Sequence, residues 1–213
     1  CKYTEGMGMK KFCICGGGAR GHVAGGYIAA RSKAEVGVLT NHPERWSRSI
    51  SVHTPEGESL IGSLSMISSS AKDVVTGADV LLFCLPGLLI KEELEKVKPF
   101  LGTDAYVGTV FSSTGFFFEA LKILSPEQPL WGFQRVPFIS RVVEYGHSAN
   151  LLGYKSGFNI TVEHVSDVEK SQFADWVADA FGRPVHLLRN YLEASLTNSN
   201  PILHTSRLYT LFS

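Results

Sequence analysis

Short apolar runs alternate with amphipathic stretches along this chain, the pattern of strands inside a sheet and helices covering it. Lys11-Phe12-Cys13-Ile14-Cys15 is the first run, stopped by three glycines, and it reads as a buried strand. Arg20 to Arg31, rich in Ala and Gly, reads as a helix. Val36-Gly37-Val38-Leu39-Thr40 is the second strand, with Pro43 where another helix would start. Strand, helix and strand within about 30 residues make one βαβ unit.

The pattern continues to the end of the chain. Ile50 to Ser69 alternates weakly about Pro55-Glu56-Gly57 and predicts a small hairpin. Val80 to Cys84 has the strongest central-strand pattern; it stops at Leu85-Pro86-Gly87, and Lys91 to Phe100 is amphipathic at helical spacing. Tyr106 to Val110 is a strand, followed by Ser112-Ser113-Thr114-Gly115 and a helix to Leu124. Leu130 to Gln134 and Asn159 to Val162 are further strands, and Val185 to Leu188 is a last short one. Asp167 to Phe181 is a helix with Asp167 as its expected N-cap, ended by Gly182-Arg183-Pro184.

The predicted fold class is α/β, a Rossmann-type doubly wound and mostly parallel sheet spanning residues 9–189. Residues 1–8 read as an upstream extension, and 190–213 as the start of a helical domain. That last stretch carries Leu203, Leu208, Tyr209, Leu211 and Phe212. An apolar helix needs a surface to bury against, so a missing second domain or a partner subunit in a homodimer is expected.

Composition narrows the function classes. With 20 basic and 20 acidic residues, the chain offers no electrostatic case for nucleic acid or an anionic membrane. Nor does any apolar run approach membrane-spanning length, and no apolar h-region follows a basic start. Cys13 and Cys15 share a strand face with no second pair to complete a zinc site, so no metal is expected. Buried thiols in a reducing cytoplasm are the expectation.

The candidate chemistry starts at Gly16-Gly17-Gly18-Ala19-Arg20-Gly21, a Gly-x-Gly-x-x-Gly that follows a strand and opens a helix. Gly16 permits the tight turn, Gly18 close approach of a pyrophosphate, and Gly21 close helix–strand packing. The helix N-terminus then offers free N–H groups to phosphates. An NAD site usually carries Asp or Glu at the end of the second strand. Here Thr40-Asn41-His42-Pro43-Glu44-Arg45 occupies that place. Thr40 and Asn41 can hydrogen-bond a 2′-phosphate, and Arg45, with Arg20 as a second candidate, can pair with its charge. NADP(H) is favoured, with NAD(H) possible, since Glu44 argues for the latter if it points inward. The turns Cys84-Leu85-Pro86 and Ser112-Ser113-Thr114 follow later strands and are expected to border ribose and nicotinamide.

Among seven histidines, His204 stands out through Asn198-Ser199-Asn200-Pro201-Ile202-Leu203-His204. Asn200 and His204 are four apart and share a face if this segment is helical, with Pro201 suited to a first turn. An imidazole is a proton donor matched to neutral pH, as hydride reduction of C=O or C=N requires.

Five segments together resemble the octopine/nopaline (opine) dehydrogenase family, related in plan to ketopantoate and glycerol-3-phosphate reductases. They are the glycine loop, Phe83-Cys84-Leu85-Pro86, Gln134-Arg135-Val136-Pro137, Gly153-Tyr154-Lys155 and Asn200-Pro201-Ile202-Leu203-His204. The resemblance implies reductive condensation of an amino acid with a 2-oxo acid. It makes His204 the proton donor and Asn200 a substrate-positioning residue. It also implies a helical second domain bringing substrate contacts and an acidic partner for the histidine. Only its first helix has a counterpart here, so either the chain is a fragment or the catalytic machinery is incomplete. Two other readings stand beside this one: a ketopantoate-reductase-like carbonyl reductase, and a non-catalytic NADP-binding sensor.

Overall fold

The computed structural model describes residues 10–197, 203 and 206–210. Its first half runs β1 (Lys11–Cys15), α1 (Ala19–Arg31), β2 (Glu35–Leu39), β3 (Ser49–His53), β4 (Ser59–Ser63), β5 (Met66–Ser68), α2 (Ala71–Val75), β6 (Val80–Phe83) and α3 (Ile90–Val97). Then come β7 (Tyr106–Thr109), α4 (Phe116–Ile123), β8 (Leu130–Phe133), β9 (Phe138–Glu144), β10 (Ser148–Tyr154), β11 (Phe158–Glu163), α5 (Asp167–Phe181), β12 (Val185–Leu187) and α6 (Tyr191–Leu196).

The main sheet has eight strands in the order β12-β11-β8-β7-β6-β1-β2-β5. All its pairs are parallel except β11 with β8. Because β1 lies between β6 and β2, the winding reverses beside it. Such a reversal opens a crevice beyond the carboxyl ends of the strands.

A second sheet, ordered β4-β3-β10-β9, was not anticipated as a unit. The predicted hairpin within Ile50–Ser69 is present as antiparallel β3 and β4, but the tail of that stretch leaves as β5 to join β2 in the main sheet. Strands β9 and β10 form their own antiparallel pair, and β10 then docks parallel to β3.

Helix α1 is clamped between the two sheets, and every residue from Gly21 to Ile28 is buried. This accounts for its Ala- and Gly-rich composition, because both broad faces need small side chains. On one face Gly25 meets Val38; on the other Gly26 lies under Ile50 and Val52. A Cβ on Gly62 of β4 would collide with the Gly26 carbonyl oxygen, so the strand crosses the helix backbone to backbone.

The other helices follow ordinary amphipathic rules, α3 burying Ile90, Leu94 and Val97 beneath a charged face. Helix α5 has the predicted span, but its N-cap is Ser166 and not Asp167. The Ser166 hydroxyl accepts from the Glu169 N–H at 3.3 Å, and the Glu169 carboxylate accepts from the Ser166 N–H at 2.8 Å. A capping box needs Glu three residues after the cap, a spacing Ser166 meets and Asp167 does not. Helix α6 packs back onto the domain, with Ala194 buried and the Tyr191 ring 5.6 Å from that of Phe117. Among the described residues no helix is long and apolar enough to cross a membrane.

The backbone contact between β4 and α1 gives a direct test. Gly62→Val is expected to destabilise the fold by about 1–3 kcal/mol through overpacking. A lower urea midpoint at unchanged m-value would register it, and an unchanged midpoint would refute the close crossing.

Candidate functional site

The crevice beside β1 holds the glycine loop in the geometry its sequence suggests. Gly16 has φ +121°, which side chains other than glycine rarely adopt, and its N–H donates to the Leu39 carbonyl at 2.9 Å. At Gly21 a Cβ would strike the Gly16 carbonyl, so helix and strand meet as closely as backbones can. Gly18 is the N-cap of α1 and supplies no side-chain cap, and a Cβ there would meet nothing within 4 Å. The first-turn N–H groups therefore face open space. No acidic residue lies in that turn, and Arg20 stands exposed on it. Such a cradle fits the pyrophosphate of a dinucleotide.

Two further turns gather around the loop. The Cys84 N–H donates to Cys15 at 2.9 Å, and the Leu85 side chain lies against Gly16. Pro86 leads into Gly87, which approaches Thr114 O closely enough that a Cβ would sit 2.8 Å away. Turns 84–87 and 112–114 thus adjoin, but their polar groups are engaged internally. Ser112 is fully buried and donates to Phe133 O at 2.8 Å, while the Thr114 hydroxyl donates to Phe111 O at 2.9 Å. Burial pushes the Cys84 thiol up to about 12, so it is a neutral apolar contact and no nucleophile.

At the end of β2, Thr40 is buried, and its hydroxyl accepts the His42 N–H at 3.4 Å. Asn41 is exposed. Glu44 turns toward His42, with 3.5 Å between Oε1 and Nδ1, while the Arg45 guanidinium carbon lies 4.5 Å from the centre of the Tyr145 ring. Acid and cation in this segment therefore face different partners.

Sequence reasoning passed over His22, which is fully buried. Its Nε2 accepts the Gly146 N–H at 2.7 Å, which leaves Nδ1 to donate to Gly18 O at 2.9 Å. The imidazole is thereby fixed in one neutral tautomer, its ring tilted 35° against Trp46 with centroids 4.1 Å apart. It ties the glycine loop to the turn between β9 and β10. The signal available for that turn was the alternation over residues 138–154, where Ala149 and Leu151 are buried between half-buried or exposed neighbours.

Next to the loop opens a cleft of about 780 Å³. It brings Arg135-Val136-Pro137 together with Gly153-Tyr154-Lys155, joined by the Lys155 N–H donating to Pro137 O at 3.2 Å. Arg20, Arg135 and Lys155 line it, and none of the three has an acidic partner among the described residues. Tyr154 is held in the wall by its hydroxyl bond to Glu56 and by Arg183, 3.8 Å above its ring. Gln134 donates to the Thr197 hydroxyl at 2.7 Å, fastening the end of α6 beside the cleft. The two residues expected to be catalytic, Asn200 and His204, lie outside the described residues.

No family model matches the chain. Octopine dehydrogenase of Mizuhopecten yessoensis is 26% identical over 222 residues, covering 93% of this chain and 54% of that protein. The solved structure of an octopine dehydrogenase with NADH and L-arginine superposes with a TM-score of 0.79 at 23% identity, over 87% of this chain and 50% of the other. The chain is thus similar in sequence to octopine dehydrogenases and shares their Rossmann fold. It spans about half the length of the curated relatives it matches. A ketopantoate reductase of the PanE/ApbA family from Ralstonia eutropha shares the fold more distantly, with a TM-score of 0.69 at 22% identity over 87% of this chain and 58% of that one.

The His22 clamp predicts a pH dependence. Burial lowers the His22 pKa from its ordinary 6.5, so the unfolded chain takes up a proton that the folded chain resists. The stabilisation is complete above 6.5 and diminishes as pH falls below it. Urea midpoints measured between pH 8 and pH 5 are expected to fall on the acid side, and less so in His22→Gln. Identical profiles for the two proteins would remove His22 from the account.

Proposed function

We propose that this domain belongs to an NADP(H)-dependent oxidoreductase that reductively condenses an amino acid with a 2-oxo acid. The observation that carries the reading is the cleft beside the glycine loop, where Arg20, Arg135 and Lys155 are gathered without an acidic partner among the described residues. Both substrates bear carboxylates, and guanidinium and ammonium groups hold carboxylates by charge-assisted hydrogen bonds. Arg20 stands at the junction of loop and cleft, suited to phosphate on one side and carboxylate on the other. When bound, the nicotinamide supplies the hydride that turns the C=N carbon into CH–NH.

The chain's own part is to bind, orient and donate a proton. Gly16, Gly18, Ala19 and Gly21 shape the pyrophosphate cradle, with Leu85 and Pro86 as an apolar wall. Thr40, Asn41 and Arg45 face the 2′-phosphate, and the pairing of Glu44 with His42 supports that assignment. His204 gives the proton to nitrogen while Asn200 orients the substrate, roles that rest on the family resemblance. Cys13, Cys15 and Cys84 are buried free thiols, which suits a reducing cytoplasm.

The test is a steady-state screen of the full-length protein with NADPH, pairing pyruvate with amino acids and running ketopantoate separately. Turnover with amine plus oxo acid is expected. Turnover with ketopantoate alone would favour a carbonyl reductase, and none with any substrate a nucleotide sensor. In the same assay His204→Ala is expected to cut the rate by a factor on the order of 10²–10⁴ with NADPH affinity nearly unchanged. A fully active variant would remove the catalytic assignment.

Cofactor choice is checked separately. Arg45→Ala is expected to weaken NADPH by roughly ten- to a hundredfold and NADH far less, because only the former brings a phosphate to pair. Equal losses in fluorescence titrations would overturn the preference for NADP(H).

A further inference from the structure

Tyr145 lies in the turn between β9 and β10 of the second sheet, yet it stands beside the glycine loop. A Cβ placed on Gly17 would lie 2.8 Å from the Tyr145 hydroxyl and would also strike the Thr40 hydroxyl, so both groups flank the same point of the loop. The Tyr145 ring carries the Arg45 guanidinium at 4.5 Å. Neither the Tyr145 hydroxyl nor the Arg45 guanidinium has a hydrogen-bond or acidic partner among the described residues, Glu44 being turned to His42.

The turn that presents Tyr145 is fixed on both sides. Gly146 donates to His22 at 2.7 Å, and its carbonyl accepts the Ser47 N–H at 2.9 Å. The Tyr145 ring also meets His22 edge-on at 5.1 Å. The platform under Arg45 is therefore anchored to the loop that would hold the phosphates.

We propose that Tyr145 is a specificity residue for the 2′-phosphate: its ring pre-positions Arg45, and its hydroxyl joins Thr40 in receiving the phosphate. The proposal rests on the NADP(H) reading given above. Its physical basis is ordering. An exposed arginine gives up much side-chain freedom when it binds an anion, and a ring beneath the guanidinium removes part of that loss beforehand. A phenol next to a dianionic group also donates a charge-assisted hydrogen bond, which a 2′-hydroxyl rewards much less. The arrangement therefore discriminates between the two cofactors without a second cation.

The experiment is a set of NADPH and NADH titrations on the 213-residue chain, read by fluorescence, with thermal unfolding as the check on folding. Tyr145→Phe keeps the packed ring and is expected to weaken NADPH about two- to fivefold through the lost hydroxyl, with NADH unchanged. Tyr145→Leu is expected to weaken NADPH about threefold further through the lost stacking, and that extra step should vanish when Arg45 is alanine. If Arg45→Ala spares NADH while both Tyr145 variants bind NADPH as the original does, the Tyr145 proposal is overturned and the NADP(H) reading survives. Arg45→Ala affecting both cofactors equally would overturn the two together. Should Tyr145→Leu fail to fold, Tyr145→Phe still decides the hydroxyl, and equal binding of NADPH by that variant rejects its part.

Discussion

The structure depends on a helix that has almost no solvent face. Most surface helices in an α/β protein bury one stripe, but α1 is enclosed through its first turns by a sheet on each side. Enclosure restricts side-chain volume and leaves no water for polar groups, so each polar atom there must be satisfied by protein. His22 is the polar exception within that stretch, and both of its ring nitrogens are bonded. The same enclosure fixes where the helix begins, and so where its uncapped N–H groups point.

Charge is arranged with the same economy. The chain has equal numbers of acidic and basic residues, yet the glycine loop and the adjoining cleft collect cations without acids among the described residues. Neutralising partners lie elsewhere, as with Glu58 on Arg31 and Glu193 on Arg189. A local positive field of this kind needs no net charge on the molecule. It depends on the fold leaving those cations unpaired, the Glu56 carboxylate beside the cleft being taken by the Tyr154 hydroxyl.

How far the sequence could be read follows from the range of each interaction. Elements built from neighbouring residues were legible: β1, α1 and β2 with their glycines, the apolar run of β6, and the span of α5 up to Gly182. The N-cap of α5 was misplaced by one residue because Asp167 and Ser166 are both good caps and only the reach of Glu169 separates them. Strands β9 and β10 were missed because their burial depends on α1 and β3, far away in sequence, and their alternation is broken by register shifts. Arg45 was singled out for its charge, but its contact with Tyr145 spans a hundred positions of chain that no local pattern encodes. Ser112 shows the opposite case, a polar residue in the anticipated turn whose hydroxyl holds β8 in place.

The parallel pairing of β3 with β10 also bears on how the chain acquires its shape. Ser51 lies beside Ser148, so the second sheet closes only after nearly a hundred intervening residues are in place. Non-local pairings of this kind form late, because the loop entropy must be overcome before the contact repays it. During synthesis the glycine loop emerges early and can adopt its turn, while the Gly146 N–H that completes the bond to His22 arrives some 120 residues later. Until then the stretch of α1 that β9 and β10 cover, at His22, lacks its cover. The βαβ unit and the β3–β4 hairpin are built from nearby residues, so the part of the enclosure that holds His22 is the one that waits for the most distant strands.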